Sequence, residues 1–137
     1  MTRNIRRSAV AIAMAAAATV GLASSANAAI TKVGVSGTVN CTGTITTYSA
    51  VRYMDGYNNI QIYVTGAAYS DRGGTGMTLG AYIPAVDQAY RDYVVSANRY
   101  ATFATSAYKP NTGFRVQAAM DSSSGNCHNN WSGNLYY

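Results

Sequence analysis

The chain has no glutamate, one histidine, two prolines and two cysteines in 137 residues. Without glutamate, an acid/base pair built on that residue is impossible, as is an EF-hand loop with its closing Glu. A single imidazole, His128, rules out multi-histidine zinc or copper sites. Neither a G-x-S-x-G elbow nor a P-loop is present; the Gly-rich stretch after Asp71 lacks the Lys-Ser/Thr that a P-loop needs. No metal site and no cofactor is expected.

Charge is also scarce, with 11% of residues ionised, and its sign misleads. The formal balance of the whole chain is +5, but Arg3, Arg6 and Arg7 belong to an export signal. Behind them, Ala9 to Leu22 is an apolar run of 14 residues, and Ala26-Asn27-Ala28 is a small-x-small cleavage site. The run falls short of the ~20 residues that span a bilayer. The reading is therefore a cleaved secretory leader over residues 1–28, with a domain over 29–137 and no stable membrane span once the leader is gone. The Arg6-Arg7 pair also fits twin-arginine export. Ser8-Ala9-Val10 lacks a strong apolar continuation, which favours ordinary unfolded export. The alanine-rich style is that of a bacterial leader. Seven Lys and Arg then remain against five Asp, a balance of +2 with no basic run. Nucleic acid is not an expected partner, because it is read by a clustered basic footprint.

Leu, Ile, Val and Phe are sparse in residues 29–137, whereas tyrosine is abundant, with 12 in the chain. Large rings supply buried area that alanine cannot. Cys41 and Cys127 lie 86 positions apart, and an even count in an exported chain points to a disulfide.

Alternation dominates the mature chain, and helical periodicity is nearly absent. Val33, Val35, Val39 and Cys41 share parity, followed by a bulge or bend at Gly43 and a second strand over about 44–54. Asp55-Gly56 reads as a tight hairpin turn returning into a strand over about 58–70. Ile60, Ile62 and Val64 take one face of that strand, with Gln61, Tyr63, Thr65 and Tyr69 on the other. Met77 to Ile83 alternates again, and Pro84 ends it. Residues 85–92 are the one stretch compatible with a short helix or helical turn, followed by a brief strand over 93–96. Further strands are expected over 99–107, 114–120 and 131–137, with a turn at Lys109 to Gly113. The pattern specifies an all-β fold, a single small antiparallel β-sandwich or barrel of about seven or eight short strands with one disulfide. The terminal strands are expected at sheet edges, pinned by that disulfide.

Tyr63, Tyr69, Tyr82 and Tyr100 fall opposite the aliphatic positions, and Arg72 and Arg115 lie near them in sequence. Exposed, they would form an aromatic binding surface; buried, they would complete an aliphatic-poor core. The Tyr and Arg residues between Tyr90 and Arg99 form a weaker patch. The Gly-rich residues 71–76 read as a mobile loop or an anion cradle. Residues 55–59 carry oxygens for calcium, which a turn explains equally well. His128, with Asp121, would be the pair for a minimal hydrolase, and a loop histidine is the simpler reading. The leading expectation is a secreted, non-enzymatic module binding an extracellular protein or glycan through a Tyr-rich face or loop. The alternative is an inhibitor or antimicrobial protein acting through an exposed loop.

Overall fold

The computed structural model describes residues 30–70, 76–94, 96–120 and 126–137. Their strands, in chain order, are β1 (Lys32–Thr38), β2 (Thr46–Thr47), β3 (Arg52–Tyr53), β4 (Ile60–Gly66), β5 (Tyr69–Ser70), β6 (Met77–Ile83), β7 (Gln88–Val94), β8 (Arg99–Phe103), β9 (Gly113–Met120), β10 (Cys127–His128) and β11 (Asn130–Tyr136). Seven of them run five residues or more, and the other four are two-residue bridges. Among the described residues, no helix is long and apolar enough to cross a membrane.

Nine of these strands form two antiparallel sheets that share one core, and β5 and β10 pair apart as a two-stranded ribbon. The first has the order β1-β11-β4-β8; the second has β2-β9-β6-β7, with β3 also paired to β9. Ile60, Ile62, Val64, Ala101, Phe103, Trp131 and Leu135 point inward from the first sheet. Met77, Leu79, Ala81, Ile83, Phe114, Val116, Ala118 and Met120 meet them from the second. One cluster joins both sets, which makes the fold a β-sandwich. The tyrosine-poor centre corrects one expectation: the few aliphatics fill the core, while Tyr48, Tyr90, Tyr108 and Tyr137 pack at its rim.

Cys41 and Cys127 form the disulfide, with Cα atoms 6.0 Å apart. Its position follows from the β1–β11 register. Thr38 faces Asn130, and the Val39 amide donates to the Asn129 carbonyl at 2.9 Å. Continuing the same antiparallel count brings Cys41 opposite Cys127. The bond thus closes the end of a ladder that pairs the start of the described chain with its finish. β1 is an edge strand as expected, but β11 is interior, flanked by β1 and β4.

Three local expectations are corrected in whole or in part. Asp55-Gly56 is not a hairpin, because β3 pairs with β9 and β4 with β11 and β8. A two-residue turn of the Asp-Gly kind needs left-handed backbone at both positions, and neither residue has it. Instead, buried Met54 stays with the second sheet, its amide donating to the Thr112 carbonyl, and the chain then crosses to the first. The expected strand over 44–54 reduces to the bridges β2 and β3, because residues 49–51 leave β9 after the Tyr48 amide donates to the Val116 carbonyl. Of the short helix or helical turn expected over 85–92, only a 3-10 turn at Pro84–Val86 forms, and β7 takes the rest of the stretch. Asp87, at φ 50°, turns the chain back, and Ile83 then faces Gln88. The bend at Gly43 is present, with φ 81°.

The two seams of the sandwich differ. At one, β7 lies beside β8, and Asp92 Oδ2 accepts from the Thr102 amide at 3.0 Å. At the other, residues 48–55 run past β1 without forming a ladder.

Candidate functional site

The register of the first sheet decides which tyrosines meet. Tyr63 on β4 and Tyr100 on β8 are direct cross-strand partners, both on the outward parity. Their ring centres lie 4.9 Å apart at 55°. Tyr136, outward on β11, lies 6.1 Å from Tyr100 at 48°. Lys32, the cross-strand partner of Tyr136 on β1, places Nζ 5.7 Å from that ring's centre, within cation–π range. Three tyrosines and one lysine thus span all four strands.

Small polar groups complete the face. Gln61 Nε2 donates to Thr102 Oγ1 at 3.2 Å, and Thr65 and Ser132 share a hydroxyl hydrogen bond of 2.9 Å. The Tyr63 hydroxyl is 3.4 Å from Asn98 Oδ1, and Asn98 takes left-handed backbone at φ 64°. Asn134 and Gly34 lie in the same row as Tyr63 and Tyr100. Among the outward positions of these strands, Lys32 is the one charged residue. Loss of surrounding water, then the neighbouring Tyr136 hydroxyl, push the Tyr100 phenol above its ordinary value. At neutral pH the Tyr100 ring therefore keeps its proton and presents a hydrogen-bonding hydroxyl.

The other candidates lie elsewhere. Tyr82 is on the outer face of the second sheet opposite Arg115, and its hydroxyl donates to Asp87 Oδ1 at 2.8 Å. That hydrogen bond raises the Tyr82 phenol. Tyr69, on β5, stacks on His128 of β10 with ring centres 4.3 Å apart and planes 13° from parallel. The six residues singled out in sequence are therefore not one patch. Tyr63 and Tyr100 come together; Tyr82 with Arg115, and Tyr69, are separate; Arg72 is outside the described residues. So are Asp121 and residues 71–75, which carry the hydrolase pairing and the loop reading.

The weaker patch between Tyr90 and Arg99 also separates. Tyr90 turns to the core rim and shares a hydroxyl hydrogen bond of 2.8 Å with Tyr108. Two side-chain oxygens of residues 55–59 are engaged within the protein: Asp55 Oδ2 accepts from Thr31, and Asn59 Oδ1 accepts from the Thr105 and Ser106 amides. No group of three or more His, Cys, Asp or Glu able to hold a metal occurs among the described residues.

Sequence reasoning missed Lys32 and Tyr136. For Tyr136 the signal was present, since Trp131, Leu135 and Tyr137 leave it on a different face. For Lys32 there was none, because its pairing with Tyr136 spans the whole domain.

No protein-family model matches the chain, nor does any curated protein or solved structure.

Proposed function

We propose that this chain is a secreted, non-enzymatic binding module that presents the Tyr63–Tyr100–Tyr136 face to another extracellular protein. The observation that carries the reading is the contiguous ring cluster on a surface otherwise made of Ser, Thr, Asn, Gln and Gly with a single lysine. Tyrosine gives large contact area at small entropy cost, and small polar neighbours adapt their hydrogen bonds to a partner; protein-binding paratopes use the same mixture. The rings are tilted by about 50° to one another, which supports a protein partner over a flat stack of sugar rings. Secretion rests on the leader over residues 1–28, and the disulfide fits an oxidising compartment.

The test is capture with the mature protein from culture supernatant and cell-wall material, run beside Tyr63→Ala and Tyr100→Ala. A protease-sensitive partner held by the wild type and released by both variants is the expected result. Equal capture by the variants overturns the assignment of the face. A partner that survives protease but is lost to glycosidase makes it a glycan-binding face instead.

A further inference from the structure

β1 has one side paired and one side free. Thr31 and Tyr137 exchange both backbone hydrogen bonds, at 2.9 and 3.1 Å. In an antiparallel ladder such pairs recur at every second residue. Val33, Val35 and Gly37 therefore turn their backbone groups to β11, whereas Lys32, Gly34, Ser36 and Thr38 turn theirs away from it.

Residues 48–55 run along that free side in the opposite direction, fastened at two points. The Tyr48 hydroxyl donates to the Thr38 carbonyl at 2.9 Å, and the Thr31 hydroxyl donates to Asp55 Oδ2. Between these fastenings the segments part, leaving a cleft of about 410 Å³. Gly34, Ser36, Tyr48, Arg52, Val116 and Trp131 are among its walls. Arg52 is the cross-strand partner of inward-facing Phe114, so its side chain has the same parity and enters the cleft. No hydrogen bond or ion pair among the described residues holds it.

Three features converge here: free main-chain groups spaced as a strand requires, an apolar wall from Trp131 and Val116, and an unpaired guanidinium. An edge strand with free amides and carbonyls takes up an extended peptide by strand addition, and a guanidinium matches a carboxylate in a two-pronged hydrogen bond. The two fastenings stop a long strand from running through the slot. We infer that this cleft is a second binding site, which takes the C-terminus of an extended peptide. The last residues pair with the free edge at Gly34 and Ser36, and the terminal carboxylate meets Arg52. The site is on the opposite edge of β1 from β11 and does not depend on the tyrosine face.

Trp131 is the single tryptophan of the chain and a wall of the cleft, so its fluorescence reports occupancy. The probes are N-acetyl-Ser-Thr-Val with a free carboxylate and the same peptide as its C-terminal amide. The acid is expected to give a saturable change in emission and to bind at least about tenfold more tightly than the amide, the loss expected when a charged hydrogen-bond partner is removed. Arg52→Gln should abolish that preference, with thermal unfolding confirming that the variant is folded. Ser36→Pro removes an edge N–H that β11 does not use, and should weaken both peptides. Equal binding of acid and amide, an unchanged preference in Arg52→Gln, or no response at millimolar peptide would each overturn the assignment. Arg52→Gln decides the question even if Ser36→Pro fails to fold.

Discussion

Trp131 donates its indole N–H to the hydroxyl of Tyr48 at 2.7 Å. Because Tyr48 donates onward to the Thr38 carbonyl, the side chain links the floor of the first sheet to its edge strand. A buried donor or acceptor left without its partner costs about 1–3 kcal/mol. Tyr48→Phe keeps the ring but orphans both ends of the chain. Its expected effect is a loss of stability in that range, read as a lower midpoint in urea or thermal unfolding. An unchanged midpoint would mean that water replaces the hydroxyl without cost.

The same residue sets a pH dependence. Burial pushes the Tyr48 phenol up, and the hydrogen bond from Trp131 offsets part of that shift. A folded-state pKa above the unfolded value near 10 means that the folded protein holds this proton more tightly. The associated stability is fully present below about pH 10 and is lost as pH rises through the folded value. Thermal midpoints should therefore fall on going alkaline, and less steeply in Tyr48→Phe than in wild type. Equal slopes in the two proteins would remove Tyr48 as a source of the effect.

Cys41–Cys127 closes a loop with a sequence separation of 86. In the chain-entropy model such a bond contributes on the order of 4 kcal/mol. If the leader directs export as proposed, mass spectrometry of protein recovered from the culture supernatant should show a two-proton deficit and loss of residues 1 to about 28. Replacing both cysteines by serine should lower stability by several kcal/mol in denaturant titration. Two titratable thiols in the native protein would contradict the fold's closure.

Two glycines of β1 separate packing from surface. A Cβ on Gly37 would lie 2.5 Å from the Tyr48 hydroxyl, whereas one on Gly34 meets nothing within 4 Å. Gly37→Ala should be clearly destabilising, because it drives Tyr48 from its place. Gly34→Ala should stay within about 0.5 kcal/mol of wild type, as is usual for surface substitutions. Similar midpoints for the two variants would show that Tyr48 moves freely.

His128→Ala removes a stacked neighbour from exposed Tyr69. Its expected cost is about 0.5–1.5 kcal/mol, the scale of a ring pair, with partner capture unchanged. Abolition of a hydrolytic activity by this substitution would favour the enzyme reading instead.

Individual elements show what could be read before any coordinates. The inward sets Ile60-Ile62-Val64 and Met77-Leu79-Ala81-Ile83 were evident from alternation, because a strand's side chains change face at every residue. β7 was hidden: an edge strand with Tyr90 half-buried, Arg91 exposed and Asp92 capping a neighbour does not alternate cleanly. Thr105 was invisible too. It is fully buried, and its hydroxyl accepts from the Ile60 amide at 2.8 Å, an exchange between segments 45 residues apart.

Local chemistry thus specified the cleanly alternating strands, their inner and outer faces and the cysteine pair, since each depends on neighbours in sequence or on there being a single possible partner. Which strands lie side by side is a matter of long-range register. That register gathered Tyr63, Tyr100, Tyr136 and Lys32 on one face, sent Tyr69 and Tyr82 elsewhere, and left a cleft beside β1 with Arg52 inside it.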